Sequence, residues 1–280
     1  MITKIKVNIK KIFLISIYIM SNDDLKILPL KPLEIQDKSD QKFHPHLPSI
    51  ARNHGTLCLI IGSCGSGKTC LLANILCNKA MFRNAFSKVV FWSPTVDVDD
   101  SCRFFRDCFD CYTEYKDEQL KAIISKQMSY PKKEMPRIAI VADDSGGCLS
   151  KNFFTWLTRY RHINSNVFLS IQNFKMLQPS ARSNANAVIL MNGIVNNKEL
   201  EKIDEEYSAS YKNTLMYCYK KFANKPYSFL YLKNRKNPPE MYQNFTTPID
   251  WKKYIKQAKA FNKKKDFDSD SEDEQFDMEI

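Results

Sequence analysis

The sequence predicts an α/β fold in which a mostly parallel central sheet lies between two layers of helices. Three observations predict it. Short apolar runs alternate along the chain with stretches of helix-like spacing, the pattern of strands buried on both faces. One turn between such a run and a helix, Gly62-Ser63-Cys64-Gly65-Ser66-Gly67-Lys68-Thr69, fits G-x-x-x-x-G-K-[ST] at every fixed position. A later apolar run ends on two aspartates, Asp143 and Asp144.

The elements follow in order. Residues 21–56, polar and proline-bearing with His44-Pro45-His46-Leu47-Pro48 toward their end, read as an extended lead-in or as a strand laid on the sheet edge. Leu57-Cys58-Leu59-Ile60-Ile61 is the first buried strand, and Cys70-Leu71-Leu72-Ala73-Asn74-Ile75-Leu76 opens a helix after the glycine-rich turn. Residues 88–93 are a second strand, stopped by Pro94. Residues 100–130 read as helical with aromatic residues on one face. Residues 137–142 form a third strand. Residues 150–162 form a helix whose Phe153, Phe154, Trp156, Leu157 and Tyr160 belong to the core rather than to a base-stacking surface. Residues 166–171 and 186–192 are the fourth and fifth strands, 198–222 is mainly helical, and 227–232 is a late strand. The pattern resembles that of a P-loop NTPase, a RecA-like three-layer sandwich. Ligands of such sheets sit beyond the carboxyl ends of the strands, which places the turn, Asp143 and Gln172 along one edge.

The chemistry of that edge can be read from residue types. Gly62, Gly65 and Gly67 let the backbone fold so that successive N–H groups point inward. Residues Gly62, Ser63, Cys64, Gly65, Ser66, Gly67, Lys68, Thr69 and Cys70 then cradle phosphate at a helix N-terminus. Lys68 reaches the β- and γ-phosphates of ATP, and Thr69 ligates Mg2+. Asp143, at a strand end, is the second magnesium partner, acting through a water. Asp144 beside it is the general base for the attacking water. Gln172 closes the fourth strand, where an amide touches the γ-phosphate or that water; Asn173 is an alternative. Arg159, Arg161 and Arg182 follow, and sequence places none of them on the phosphate of its own subunit. An arginine entering a neighbour's site neutralises transition-state charge and requires a head-to-tail oligomer.

Composition bounds the partners. The chain has 280 residues and a net charge of +11, but residues 266–280 hold eight acidic side chains and no basic one. The remainder carries 42 basic against 23 acidic residues, a balance of +19, which suggests a polyanionic partner, nucleic acid first. Nine cysteines, an odd number, are scattered through strands and helices, which points to free thiols in a reducing compartment. Cys108-Phe109-Asp110-Cys111 has no companion pair at zinc-ligand spacing. Lysines 4, 6, 10 and 11 precede the apolar stretch Ile12-Phe13-Leu14-Ile15-Ser16-Ile17-Tyr18-Ile19-Met20, which resembles a signal peptide but is too short to span a bilayer as a helix. It reads as an extension upstream of a start at Met20, or as a peripheral strand; no stable membrane span is expected.

The residues carrying these readings resemble a known group. Gly62–Thr69, Ile140-Val141-Ala142-Asp143-Asp144 and Leu169-Ser170-Ile171-Gln172 are similar to the FtsK/HerA superfamily. Within it the chain is most similar to the poxvirus-type DNA-packaging ATPases of large nucleocytoplasmic DNA viruses, virophages and Maverick/Polinton elements. The likeness extends to His44-Pro45 through Pro48, Trp92-Ser93-Pro94-Thr95, Arg161-His162, and Ser180-Ala181-Arg182-Ser183-Asn184, and covers about residues 44–195. Ala142, smaller than the family's usual bulky residue, and the first twenty residues depart from it.

The resemblance implies an ATP-driven motor that packages double-stranded DNA into a capsid. It implies a homo-oligomeric ring, with capsid or portal-vertex proteins as partners, in the host-cell cytoplasm (the viral factory) or the virion. Gln172 would be its sensor, and Arg161 or Arg182 its arginine in trans. The chain then divides into an N-terminal extension (1–43), a P-loop ATPase domain (44–250) and a lysine-rich segment with an acidic tail (251–280). Lys252, Lys253, Lys256, Lys259, Lys263, Lys264 and Lys265 suit DNA phosphates. The disordered tail beyond either competes with DNA for those lysines, docks on a basic capsid partner or serves solubility, and Ser269 and Ser271 within it are candidate phosphorylation sites. Two rival functions stand beside this one: a small-molecule or nucleotide phosphotransferase on the same loop, and a non-catalytic nucleotide-dependent scaffold.

Overall fold

A computed structural model describes residues 55–260 apart from 79–80, 146, 195, 209–211 and 235–238. The extension over 1–43, the rest of the lead-in through residue 54 and the tail with Lys263, Lys264 and Lys265 lie outside the described residues.

Among the described residues nine strands make one sheet: β1 (Leu57–Ile61), β2 (Lys88–Trp92), β3 (Asp110–Tyr112), β4 (Ile138–Asp143), β5 (Ser165–Ile171), β6 (Ala187–Met191), β7 (Phe229–Lys233), β8 (Glu240–Gln243) and β9 (Thr247–Ile249). Their order is β3-β2-β4-β5-β1-β6-β7-β8-β9. The first six in that row run parallel, and β7, β8 and β9 are added antiparallel. The helices are α1 (Lys68–Cys77), α2 (Arg103–Cys108), α3 (Asp117–Met128), α4 (Lys151–Trp156), α5 (Pro179–Asn184), α6 (Asn197–Tyr207) and α7 (Thr214–Phe222).

The three layers follow from the two-residue period of a strand. In β1, Leu57, Leu59 and Ile61 face one apolar cluster, which receives side chains from α3, α4, α5, α6 and α7. Cys58 and Ile60 face the other, which receives Leu71, Leu72, Ile75 and Leu76 of α1 and Phe105 of α2. Every β1 residue is fully buried, so the strand is apolar at each position rather than alternating. Phe153, Phe154, Trp156, Leu157 and Tyr160 are all core residues. Each such large side chain removed from water stabilises the fold by about 1.5–3 kcal/mol.

Buried amides fix where β1 enters the sheet. Asn166 Oδ1 accepts from the Thr56 N–H at 2.9 Å, and Asn186 Oδ1 accepts from the Leu57 N–H at 3.0 Å. Asn186 Nδ2 donates to the Gly55 carbonyl at 3.1 Å. The strand that carries the glycine-rich turn is thereby held in register between β5 and β6.

Several boundaries differ from the sequence reading. The segment 100–130 is not helical throughout: β3 interrupts it, a three-residue edge strand paired only with β2 and too short and half-exposed to show periodicity. The helix expected over 150–162 stops at Trp156, and Tyr160–Ile163 forms a separate 3-10 turn. The stretch 198–222 divides into α6 and α7. β4 begins at Ile138 and takes in Asp143. The late strand starts at Phe229, because residues 225–228 form a turn. β8 and β9, short and partly polar, were not expected. Residues 251–260 pack on the body through Trp251 and Ala258.

All nine cysteines are free thiols. Burial pushes Cys108 up to about 11 and Cys111 up to about 12, so neither is a thiolate at neutral pH. Among the described residues no cluster of three metal-ligating side chains occurs, and no helix is long and apolar enough to cross a membrane.

At the far end of the sheet from β9, the Asp117 carboxylate ties α3 to α4. It accepts from Ser150 Oγ at 2.6 Å, Tyr115 OH at 2.6 Å and Asn152 Nδ2 at 2.5 Å. These bonds hold its pKa down at about 2. A depressed carboxyl contributes stability that is present above its unfolded value, about 3.9, and lost as pH falls toward the folded one. The melting temperature of wild type should therefore exceed that of Asp117→Asn at pH 5, with a smaller gap at pH 3. A gap that widens on acidification would contradict this.

Candidate nucleotide and metal site

The turn after β1 is shaped by what its glycines permit. Gly65 and Gly67 have φ of +73° and +90°, where a side chain is strained. Gly62 is required for space: a Cβ there would lie 2.6 Å from Ser66 Oγ and 2.7 Å from Met191 Cβ. Around Gly65 a Cβ would meet nothing within 4 Å, so the turn faces open space there. Gly67 is also the N-cap of α1, and no side chain caps that helix end. Its free N–H groups and dipole therefore face the opening.

Parallel pairing of β1, β5 and β4 brings the remaining residues to this edge. Gly62 N–H donates to the Ile171 carbonyl at 3.1 Å, and Asp144 N–H donates to the Ser170 carbonyl at 3.1 Å. The loop, the acid pair and Gln172 thus share one backbone frame. Lys68 is buried, and its Nζ donates to the Ser63 carbonyl at 3.0 Å and pairs with Asp144 Oδ1 at 3.5 Å. Gln172 Nε2 donates to the other oxygen, Asp144 Oδ2, at 3.1 Å. Asp144 takes a positive φ of 49°, a conformation aspartate tolerates better than most residues, and this aims its carboxylate at Lys68.

Asp143 is 1 % exposed. Thr69 Oγ1 donates to its Oδ2 at 2.8 Å, while Oδ1 is buried with no hydrogen-bond partner. Burial pushes its carboxyl above the usual range, helped by the neighbouring Asp144 charge, against the Ser170 and Thr69 hydroxyls and the Lys68 charge, which pull it down. An unpartnered buried carboxylate oxygen beside a hydroxyl is a hard, oxygen-only donor set, and it fits Mg2+. Thr69 and Asp143 are the residues that would hold it.

The structure therefore brings together Gly62 through Cys70, Lys68, Thr69, Asp143, Asp144 and Gln172. It does not bring the arginines to them. Arg161 lies before β5, at the opposite edge of the sheet, separated from Gln172 by the 7 residues of that strand, roughly 23 Å. Its Nε donates to Tyr160 OH at 3.2 Å. Arg182 pairs with Glu206 at 3.8 Å, and its guanidinium lies 5.1 Å from the centre of the Phe174 ring. Sequence reasoning missed the wall formed by the end of β6. A Cβ on Gly193, at φ +96°, would lie 2.9 Å from Ser63 Oγ. A glycine directly after an apolar strand was the available signal.

The profile of the family described as Poxvirus A32 protein matches residues 49–225. The fold is similar to that of B204, the DNA-packaging ATPase of Sulfolobus turreted icosahedral virus. The identity is 16 % and the TM-score 0.51, over 71 % of this chain and 100 % of that one. It is also similar to the genome-packaging NTPase B204 of Sulfolobus turreted icosahedral virus 2 in complex with AMP. There the identity is 17 % and the TM-score 0.51, over 70 % and 98 % of the two chains. No curated protein matches the chain.

The glycines make a graded prediction. Gly62→Ala overpacks against Ser66 and Met191 and should destabilise by about 1–3 kcal/mol. Gly65→Ala, strained at its φ but facing open space, should cost about 1–2 kcal/mol at most. Thermal unfolding of both variants checks the order, and a larger loss for Gly65→Ala would contradict it.

Proposed function

We propose that this chain, which belongs to the Poxvirus A32 protein family, is an ATPase that drives double-stranded DNA into a viral capsid. The observation that carries the reading is the convergence of Lys68, Thr69, Asp143, Asp144 and Gln172 on the open side of one glycine-rich turn. Family membership and the fold shared with two packaging NTPases support it, as does the basic balance of the chain outside its last fifteen residues.

Each residue has a task set by its position. Backbone amides of 62–70 hold the phosphate oxygens of ATP. Mg2+, when bound by Thr69 and Asp143, neutralises charge on the β- and γ-phosphates. Lys68 now spends its charge on Ser63 and Asp144. A triphosphate in the turn offers it stronger anionic partners, and Lys68 leaves Asp144 for them. Asp144, released from the ammonium and still oriented by Gln172, accepts a proton from the attacking water. The Lys68–Asp144 pair thus keeps the base neutralised until substrate arrives. Gln172 touches the base directly and passes the state of the site to β5, whose other end leads back to Arg161.

Arg161 or Arg182 acts in trans, in the site of a neighbouring subunit of a homo-oligomeric ring. The position of Arg161 at the opposite edge from its own phosphate turn supports that arrangement, since head-to-tail packing is what sets one edge against the other. The lysines at 252, 253, 256 and 259 contact DNA phosphates without reading sequence. Capsid or portal-vertex proteins are the partners, and the host-cell cytoplasm or the virion is the site of action. A phosphotransferase on the same loop must shield its γ-phosphate from water; the carboxylate–amide pair of Asp144 and Gln172 favours hydrolysis instead.

The test is ATP hydrolysis by the purified full-length chain with Mg2+, with and without duplex DNA, alongside its native mass. Duplex DNA should stimulate turnover of a species larger than a monomer. Asp144→Asn should lower the rate by about 10²–10⁴-fold while ATP binding is kept, and Lys68→Ala should weaken binding and turnover together. Phosphate transfer to a small acceptor, or unchanged turnover in Lys68→Ala, would overturn the proposal.

A further inference from the structure

Tyr227 stands in a place where glycine is the ordinary choice. Residues Lys225 to Ser228 form a tight turn, closed by the Ser228 N–H donating to the Lys225 carbonyl at 3.0 Å. Pro226 takes the second position, and Tyr227 the third, with φ of +61°. A β-turn of this kind favours proline at its second residue and asks for glycine at its third. A bulky residue held at positive φ is strained, and such strain persists only where the surroundings over-determine it. Here they do. Ser228 Oγ donates to the Lys225 carbonyl at 2.6 Å and accepts from the Lys225 N–H at 3.0 Å. The Asn192 N–H donates to the Ser228 carbonyl at 2.8 Å, which fixes the turn to the end of β6.

The strain does not serve the core. Tyr227 is 64 % exposed, the most exposed aromatic ring among the described residues. The ring lies over the phosphate turn: a Cβ on Gly67 would be 2.9 Å from its Cδ1. The topology says which end of a nucleotide comes here. In the order β4-β5-β1-β6-β7, Asp143, Asp144 and Gln172 stand on one side of β1, and Tyr227 stands on the other. Met191 at the end of β6 pairs with Phe229 at the start of β7, so Tyr227 is at the same sheet edge as the turn. A triphosphate whose terminal group faces Asp144 and Gln172 must leave the turn over β6 and β7, carrying its ribose and base toward this ring.

We propose that Tyr227 is the platform on which the base of the bound nucleotide stacks. This rests on the reading of residues 62–70 as a nucleotide site. A flat, exposed aromatic face gives affinity to the base without reading its edge, because every base presents a π-face. The strained turn keeps the ring fixed before the base arrives, so little side-chain freedom is lost on binding.

The experiment measures dissociation constants of the full-length chain for Mg–ATP and Mg–tripolyphosphate, in wild type, Tyr227→Gly and Tyr227→Phe. Glycine accepts the backbone of the turn, so the fold is kept and its melting temperature should not fall. Tyr227→Gly should weaken Mg–ATP by about tenfold to a hundredfold and leave Mg–tripolyphosphate unchanged, while Tyr227→Phe should retain wild-type affinity for both. Unchanged ATP affinity in Tyr227→Gly, or an equal loss for both ligands, would overturn the platform while leaving the phosphate site standing. A wild type that binds neither ligand would overturn both readings together.

Discussion

The hydrogen bond from Thr69 to Asp143, 2.8 Å long, joins the two halves of this molecule's chemistry. Thr69 belongs to the first turn of the helix capped by Gly67; Asp143 ends a strand two places from β1 in the sheet. Nothing local in the chain relates them. They meet because β1, β5 and β4 are parallel and in register, so that all three end at one edge. A carboxylate that is 1 % exposed is costly to ionise, and the Ser170 and Thr69 hydroxyls beside it do not offset that cost. The oxygen left unpartnered is therefore the feature that most strongly calls for a cation.

The two aspartates are adjacent in sequence but differ in environment. Asp143 is sealed within the strand, whereas Asp144 has turned out of it at positive φ and carries a half-buried carboxylate shared by Lys68 and Gln172. In the proposed function, one acid would hold a metal and the other would exchange partners. The change of one backbone angle separates the roles, and it lets Lys68 answer both to the carboxylate and to an incoming phosphate. Burial of Lys68 is tolerable only while one of these anions is present.

Much of this was legible in the sequence because its signals are local. The glycine-rich turn has fixed spacing, and β1, β4 and β6 are apolar at almost every position, as strands covered on both faces must be. What failed to show depends on neighbours distant in sequence. β3 has three residues and borrows its order from β2; β8 and β9 are extended because β7 offers a free edge. Asn166 and Asn186 read as the first residues of two strands, and only the sheet reveals that their side chains hold the entry to β1. Tyr227 read as the first residue of a strand. The proline before it and the serine after it mark a turn, but its position over Gly67 follows from the strand order, which no spacing announces.

The most direct test of the central claim is a structure of the chain with a non-hydrolysable ATP analogue and Mg2+. The account predicts triphosphate in the turn at 62–69, a metal ion beside Thr69 and Asp143, and Lys68 moved from Asp144 onto phosphate oxygen. An empty turn, or a bound nucleotide with the Lys68–Asp144 pair still closed, would contradict it.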